Sequence, residues 1–199
     1  EKDLDFHQQT ADMAGVQRNL AKTIGLGVMY GMGYHKLARE LDMEPQEAKT
    51  MLQDFHAKVP FMKGMLEAVM NRANSKGVIR TLLGRKCRFD LWEPTQWGVH
   101  KALPLNQAQT EYGMAIKRAY TYKALNRLIQ GSAADQTKKA MVDVYEEMGI
   151  IPLIQVHDEL DCSVKSEIEA QKIKKIMENC IELEVPSKVD INLGESWGA

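Results

Sequence analysis

Residues 150–164 climb through an apolar run, break on His157-Asp158-Glu159, and return with apolar side chains at every second position: Leu160, Cys162 and Val164. Period two is the spacing of side chains along one face of a strand. The stretch therefore predicts a β-hairpin that presents a carboxylate at or beside its tip. Pro152 falls near the start of the first strand, where a missing N–H is tolerated. Successive strand residues face opposite ways. If Asp158 continues a strand, Glu159 turns away from it, and an ion gripped by Asp158 takes its other anionic ligand from a distant part of the fold. Taken alone, the same residues also describe a polar turn between two core strands.

At 199 residues the chain can bury a substantial core and make one large domain or two small subdomains. Residues 16–33 predict a helix on which Arg18, Lys22, Leu26 and Tyr30 recur every four residues. They share one face, with a drift of about 40° per step. From Arg18 to Tyr30 the rise is roughly 18 Å, enough to run beside a nucleoside triphosphate with the cations at one end and the ring at the other. Gly25, Gly27, Gly31 and Gly33 interrupt this helix, each costing up to about 1 kcal/mol relative to alanine in a helix interior. Such a helix either bends or lets something flat approach its backbone. Without a ligand, the pattern is that of an amphipathic surface helix with a glycine-rich end.

Helical periodicity continues over 35–41, 44–59 and 61–74, with Pro45 at a first-turn position and Pro60 separating two helices. The methionines here read as core filler. Residues 77–89 predict a small hairpin with a basic tip, either a surface feature or a phosphate contact. Residues 90–117, with Trp92, Pro94, Trp97 and Pro104, show no clear period and read as a loop or insertion between subdomains. A long helix is expected over 119–148, with Ala124, Leu125, Leu128, Ile129, Ala133, Ala140, Met141 and Val144 on its buried stripe. Asn126 and Gln130 lie four apart beside Gly131-Ser132-Ala133-Ala134. Small residues allow close approach, and Asn and Gln can read minor-groove acceptors. A Lys- and Glu-rich solvated helix over 166–183 and a final strand over 189–193 complete the chain.

The net charge of −1 hides a division: −3 over residues 1–15, +10 over 16–139 and −8 over 140–199. A basic middle beside an acidic end suits a protein that grips a polyanion with one part and holds cations with another. The three cysteines, Cys87, Cys162 and Cys180, lack metal-ligand spacing and read as reduced thiols of a cytosolic compartment. No apolar run approaches a membrane span, and the first residues do not resemble a signal peptide.

Three stretches, taken in order, resemble the polymerase domain of family A DNA polymerases, the bacterial DNA polymerase I type with its phage members. Arg18-x3-Lys22-x7-Tyr30-Gly31 matches the family's fingers helix; Asn126-x3-Gln130-Gly131-Ser132-Ala133-Ala134-Asp135 matches a palm helix; Gln155-Val156-His157-Asp158-Glu159 matches the palm carboxylate motif. The Gly194-Glu195-Ser196-Trp197 ending is similar as well. The resemblance implies an α+β, right-hand architecture in part: a helical fingers subdomain over 1–118, including the 90–117 insertion, and the C-terminal part of a palm with an antiparallel sheet over 119–199. It implies template-directed DNA synthesis from dNTPs on primer-template DNA.

The same resemblance implies that His7, Arg18 and Lys22 contact the triphosphate, with Lys22 also the proton donor to the leaving pyrophosphate. Leu26 would face the sugar and Tyr30 the templating pair. Lys123, Asn126, Gln130 and His157 would touch primer-template. Asp158, with Glu159 beside it, would bind Mg²⁺ in a two-metal site whose second aspartate lies outside this chain, on an upstream polymerase segment. Two departures stand out: the sugar-proximal position, and the family's other catalytic aspartate, which belongs to a strand before His7 that this sequence does not contain. Leu26 occupies a position that usually holds Phe or Tyr, and Gly25 one where Asn is common. A single-subunit RNA polymerase fragment shares the Arg-Lys-Tyr-Gly spacing, and a non-catalytic DNA-binding remnant would account for the missing aspartate; Glu159 and the Gln-Gly-Ser-Ala-Ala-Asp run favour the DNA enzyme.

Overall fold

The computed structural model describes residues 5–98 and 100–197. The chain forms two compact units, Glu1–Arg80 with Arg85–Leu128, and Thr81–Gly84 with Ile129–Ala199.

The first unit opens with α1 (Phe6–Ala14), α2 (Arg18–Met29), α3 (Tyr34–Glu40), α4 (Pro45–Lys58) and α5 (Pro60–Lys76). Local chemistry sets their ends. Asp5 caps α1 by accepting from the His7 and Gln8 N–H groups, and Gly15, at φ 68°, closes it. Pro45 and Pro60 occupy first-turn positions, where the lost N–H has no helical partner in any case. Their faces meet in a core of Ala14, Ile24, Leu37, Ala38, Ala48, Phe55, Val59 and Met62, with Met29, Met32, Met43 and Met51 packed around it. The methionines fill this core, as expected.

The glycines of α2 serve packing and termination. A Cβ on Gly27 would sit 1.8 Å from the Met32 thioether methyl, so a methionine of the same unit occupies that face. The helix ends where Met32 N–H reaches the Gly27 carbonyl at 2.7 Å and Gly31 takes φ 73°, a left-handed cap that glycine adopts without strain. A Cβ on Gly31 would also lie 2.7 Å from the Tyr122 carbonyl oxygen. Gly31→Ala should therefore lower stability by about 2–4 kcal/mol, combining left-handed strain with a clash against backbone. Gly33→Ala should change it by less than about 1 kcal/mol, since Gly33 has φ −88° and open space around its Cβ position. Denaturant unfolding followed by circular dichroism reads both.

Beyond α5, β1 (Val78–Arg80) pairs with β2 (Lys86–Arg88), the hairpin anticipated over 77–89. The stretch expected as a loop or insertion carries regular structure: β3 (Leu91–Pro94), β4 (Leu103–Pro104), α6 (Leu105–Tyr112) and β5 (Ile116–Arg118), with strand order β4-β3-β5. Arg118 ties this sheet down. Its Nη1 donates to the Phe89 carbonyl at 2.8 Å, its Nε to that of Asn74 at 3.2 Å, and its guanidinium lies 4.5 Å from the Trp92 ring centroid. The expected long helix begins later than 119: a 3₁₀ turn, Thr121–Lys123, precedes α7 (Ala124–Met148).

In the second unit, the turn Thr81–Gly84 is bound to α7. Leu82 N–H donates to Ser132 Oγ at 3.0 Å and Leu83 N–H to Asp135 Oδ2 at 3.2 Å. The Ser-Ala-Ala-Asp run thus has a structural job. The hairpin β6 (Ile154–Val156) and β7 (Glu159–Asp161) follows, then α8 (Glu167–Asn179), shorter than the 166–183 expected. Ser166 caps α8 through the Glu169 N–H while the Glu169 carboxylate accepts from Lys165 N–H, a variant of the capping box. The strand expected over 189–193 is not found: Val189 N–H is taken by Glu178 Oε1 at 3.0 Å, and these residues join no ladder among the described residues.

Candidate functional site

The first unit brings part of the predicted triphosphate set together. Arg18 begins α2 and Lys22 follows one turn later on the exposed surface; Leu26 is half-buried, and Tyr30, 48% exposed, stands just past the last turn. His7 lies in the first turn of α1, half-buried. Asp5 links the two helices. Its Oδ1 accepts from the N–H groups of His7 at 2.8 Å and Gln8 at 3.0 Å, and its Oδ2 from Arg18 Nε at 2.9 Å and Nη2 at 2.6 Å. The Arg18 hydrogen bond, and then the Gln8 N–H, hold the Asp5 carboxyl below its usual range. Asp5 is therefore ionised at neutral pH, and the pair is lost as acid protonates it. Lys22 has no ion-pair or hydrogen-bond partner among the described residues.

Also in this unit, Lys123 Nζ sits 5.2 Å from the Tyr120 ring centroid and 5.5 Å from that of Tyr122. Two aromatic faces hold the cation while leaving it exposed. Asn126 follows on α7, half-buried.

In the second unit, Gln130 is exposed on α7. Val156 pairs with Glu159, so His157 and Asp158 form the two-residue tip of the hairpin. His157 takes φ 54°, a left-handed conformation uncommon outside glycine, and its carbonyl accepts from Gln155 Nε2 at 2.6 Å. Asp158 thus occupies the turn rather than a strand, while Glu159 opens β7. Neither carboxylate has a partner among the described residues, and both are exposed. The reading of a polar turn between two core strands does not hold: Ile154 and Val156 are exposed within this chain.

An exposed, unpaired carboxylate is the oxygen donor Mg²⁺ takes. Among the described residues, however, no three His, Cys, Asp or Glu side chains converge as a metal site. Asp158 fits as one ligand; these residues do not assemble a complete site by themselves. The cysteines form no disulfide, and burial pushes the Cys162 and Cys180 thiols up. Among the described residues no helix is long and apolar enough to cross a membrane.

A family model described as DNA polymerase family A matches residues 1–199. The chain belongs to that family. A family A relative, the DNA-directed DNA polymerase of Pseudomonas phage M6, is 38% identical over 228 residues, covering 98% of this chain and 31% of the relative. The thermostable DNA polymerase I of Thermus aquaticus is 32% identical over 208 residues, covering 97% of this chain and 23% of its own length. Among solved structures, the polymerase domain of Pol1 from M. smegmatis, in complex with DNA primer-template and dNTP, superposes with a TM-score of 0.74 at 28% identity. That match covers 97% of this chain and 34% of the other. This family A chain therefore spans about a third or less of the length of these relatives. The mixed helix and antiparallel-sheet architecture is that expected for fingers and palm.

Ser132 and Asp135, quoted above only as part of a motif, hold the Thr81–Gly84 turn, and Asp5, given no role in the sequence reading, anchors Arg18. The Asp-Phe-His sequence signals a helix cap at Asp5. Nothing in the sequence signals its partner thirteen residues on.

Proposed function

We propose that this chain supplies the fingers (1–118) and the C-terminal palm (119–199) of a template-directed DNA polymerase that transfers nucleotides from dNTPs to a primer 3′-hydroxyl, in the host cytoplasm for a phage enzyme. The observation that carries the proposal is α2. On a chain of family A, it sets Arg18, Lys22, Leu26 and Tyr30 one turn apart, the order in which phosphates, sugar and base are met. His7, Arg18 and Lys22 bind the triphosphate, compensating charge that develops in phosphoryl transfer. Lys22 Nζ holds the proton that passes to the departing pyrophosphate. Tyr30 closes the pocket against the templating pair. Lys123, Asn126, Gln130 and His157 contact primer-template, of which the phosphate contacts give affinity. The DNA and nucleotide in the M. smegmatis complex support these partners.

Asp158, with Glu159 beside it, is one ligand of a Mg²⁺ site completed by an aspartate from an upstream polymerase segment. When bound, the metal pair activates the hydroxyl and stabilises the leaving group.

Primer extension on a defined template by the polymerase that carries this chain, comparing dNTPs with rNTPs, tests the reading. Extension with dNTPs in strong preference is expected. Preference for rNTPs would assign an RNA polymerase, and DNA binding without extension a non-catalytic remnant; either result overturns the proposal.

Leu26 gives a finer test. Leucine has no polar atom, so it cannot compensate for a missing 3′-hydroxyl as a tyrosine hydroxyl could. Leu26→Tyr should relax discrimination against dideoxynucleotides at least tenfold, about 1.4 kcal/mol of differential stabilisation. An unchanged dNTP/ddNTP efficiency ratio in a folded, active variant would remove Leu26 from the sugar.

A further inference from the structure

The Asp5 carboxylate carries more bonds than a helix cap requires. Oδ1 is occupied by two backbone N–H groups of α1, and both nitrogens along one edge of the Arg18 guanidinium converge on Oδ2. One carboxylate therefore fixes the backbone of His7 and the side chain of Arg18 relative to each other. Both ends of the ion pair are 43% exposed, and exposed pairs of this kind contribute little to stability. Their consequence is geometric.

We infer that Asp5 is a positioning residue of the triphosphate subsite, acting through Arg18. This rests on the triphosphate role given to Arg18 above. An arginine on the surface loses rotamer freedom when it binds an anion. Here part of that ordering precedes binding, because Nε and Nη2 are anchored while Nη1 makes no hydrogen bond among the described residues. The anchored edge faces Asp5, and the opposite edge is left for phosphate oxygens, which guanidinium groups meet through planar, directional donors. The carboxylate does not stand as a free negative charge beside the triphosphate: its two oxygens accept four hydrogen bonds, two of them from Arg18 itself. The result is a guanidinium with a set orientation beside the first turn of α1, where His7 sits.

Single-turnover incorporation of a matched dNTP by the complete polymerase separates the possibilities. The set comprises wild type, Asp5→Ser, Arg18→Ala and the double variant. Serine retains an N-cap oxygen for α1 and removes the anchor from Arg18. Asp5→Ser should raise the apparent dNTP Kd about fivefold, with the maximal rate and DNA affinity near wild type. Arg18→Ala should raise it further, and the double variant should be no worse than Arg18→Ala alone, because the first residue acts through the second. Asp5→Asn, which keeps the shape and loses the charge, guards against a folding failure and should raise Kd by a smaller factor. If Arg18→Ala weakens dNTP binding while both Asp5 variants leave Kd unchanged or tighten it, the positioning role is wrong and the triphosphate role survives. If Arg18→Ala itself has no effect on Kd, the triphosphate role falls, and the positioning role with it.

Discussion

Asp158→Asn should reduce single-turnover incorporation by at least about a thousandfold, roughly 4 kcal/mol of transition-state stabilisation, while DNA affinity stays within about threefold of wild type. The size of the effect follows from where the carboxylate stands. Asp158 is the second residue of the β6–β7 tip, exposed, with no hydrogen-bond or ion-pair partner among the described residues. Nothing in the fold loses a contact when its charge is removed, so circular dichroism and thermal unfolding should be unaltered. A loss of rate without a loss of fold assigns the carboxylate to chemistry. Glu159→Gln should be milder, because that residue opens β7 and its backbone is held in register opposite Val156. Near-normal turnover by Asp158→Asn would sink the assignment.

Lys22→Ala should lower the maximal single-turnover rate about a hundredfold, the lower end of what a positioned acid contributes, and also raise the apparent dNTP Kd. The contrast with Arg18 is structural. Arg18 is anchored by Asp5, whereas Lys22, one turn on, is exposed and unpaired among the described residues. On the proposed roles, the anchored group orients the triphosphate and the unanchored one delivers its proton to the leaving oxygen. Lys22→Arg makes the distinction measurable. It preserves the charge, but a guanidinium does not give up its proton in proteins, so binding should recover more than rate. Equal recovery of both would leave Lys22 as a charge alone.

Parts of this molecule are plain in its sequence for identifiable reasons. The four-residue recurrence from Arg18 to Tyr30 predicts α2, and Pro45 and Pro60 mark the starts of α4 and α5 because proline tolerates only the first turn. The β6–β7 hairpin follows from period two on either side of a polar break. What escaped has equally definite causes. Strands β3, β4 and β5 are two to four residues long, too short to express a period. The expected strand over 189–193 has alternation but no ladder among the described residues. Contacts across long intervals are silent in a linear reading: Ser132 and Asp135 meet a turn some fifty residues earlier, and Asp5 meets Arg18 thirteen residues later. Within the candidate site, residue types and order were legible. Which cation is tethered and which carboxylate occupies the tip are set by contacts of the fold that no linear pattern records.

The cap of α2 has a mechanical meaning of its own. Gly31 brings no side chain to the end of the helix, and the position its Cβ would take lies 2.7 Å from the Tyr122 carbonyl oxygen and 3.1 Å from Cδ2 of the Tyr122 ring. Side-chain contacts give way by changing rotamer, so helices packed through them can slide by fractions of an ångström. A glycine has no rotamer to change and a backbone carbonyl cannot turn aside alone, so this contact has less slack than one between two side chains. Tyr30 and Lys123 flank that contact in sequence, so the end of α2 and the Thr121–Lys123 turn meet where adjustment by side-chain rotation is least available.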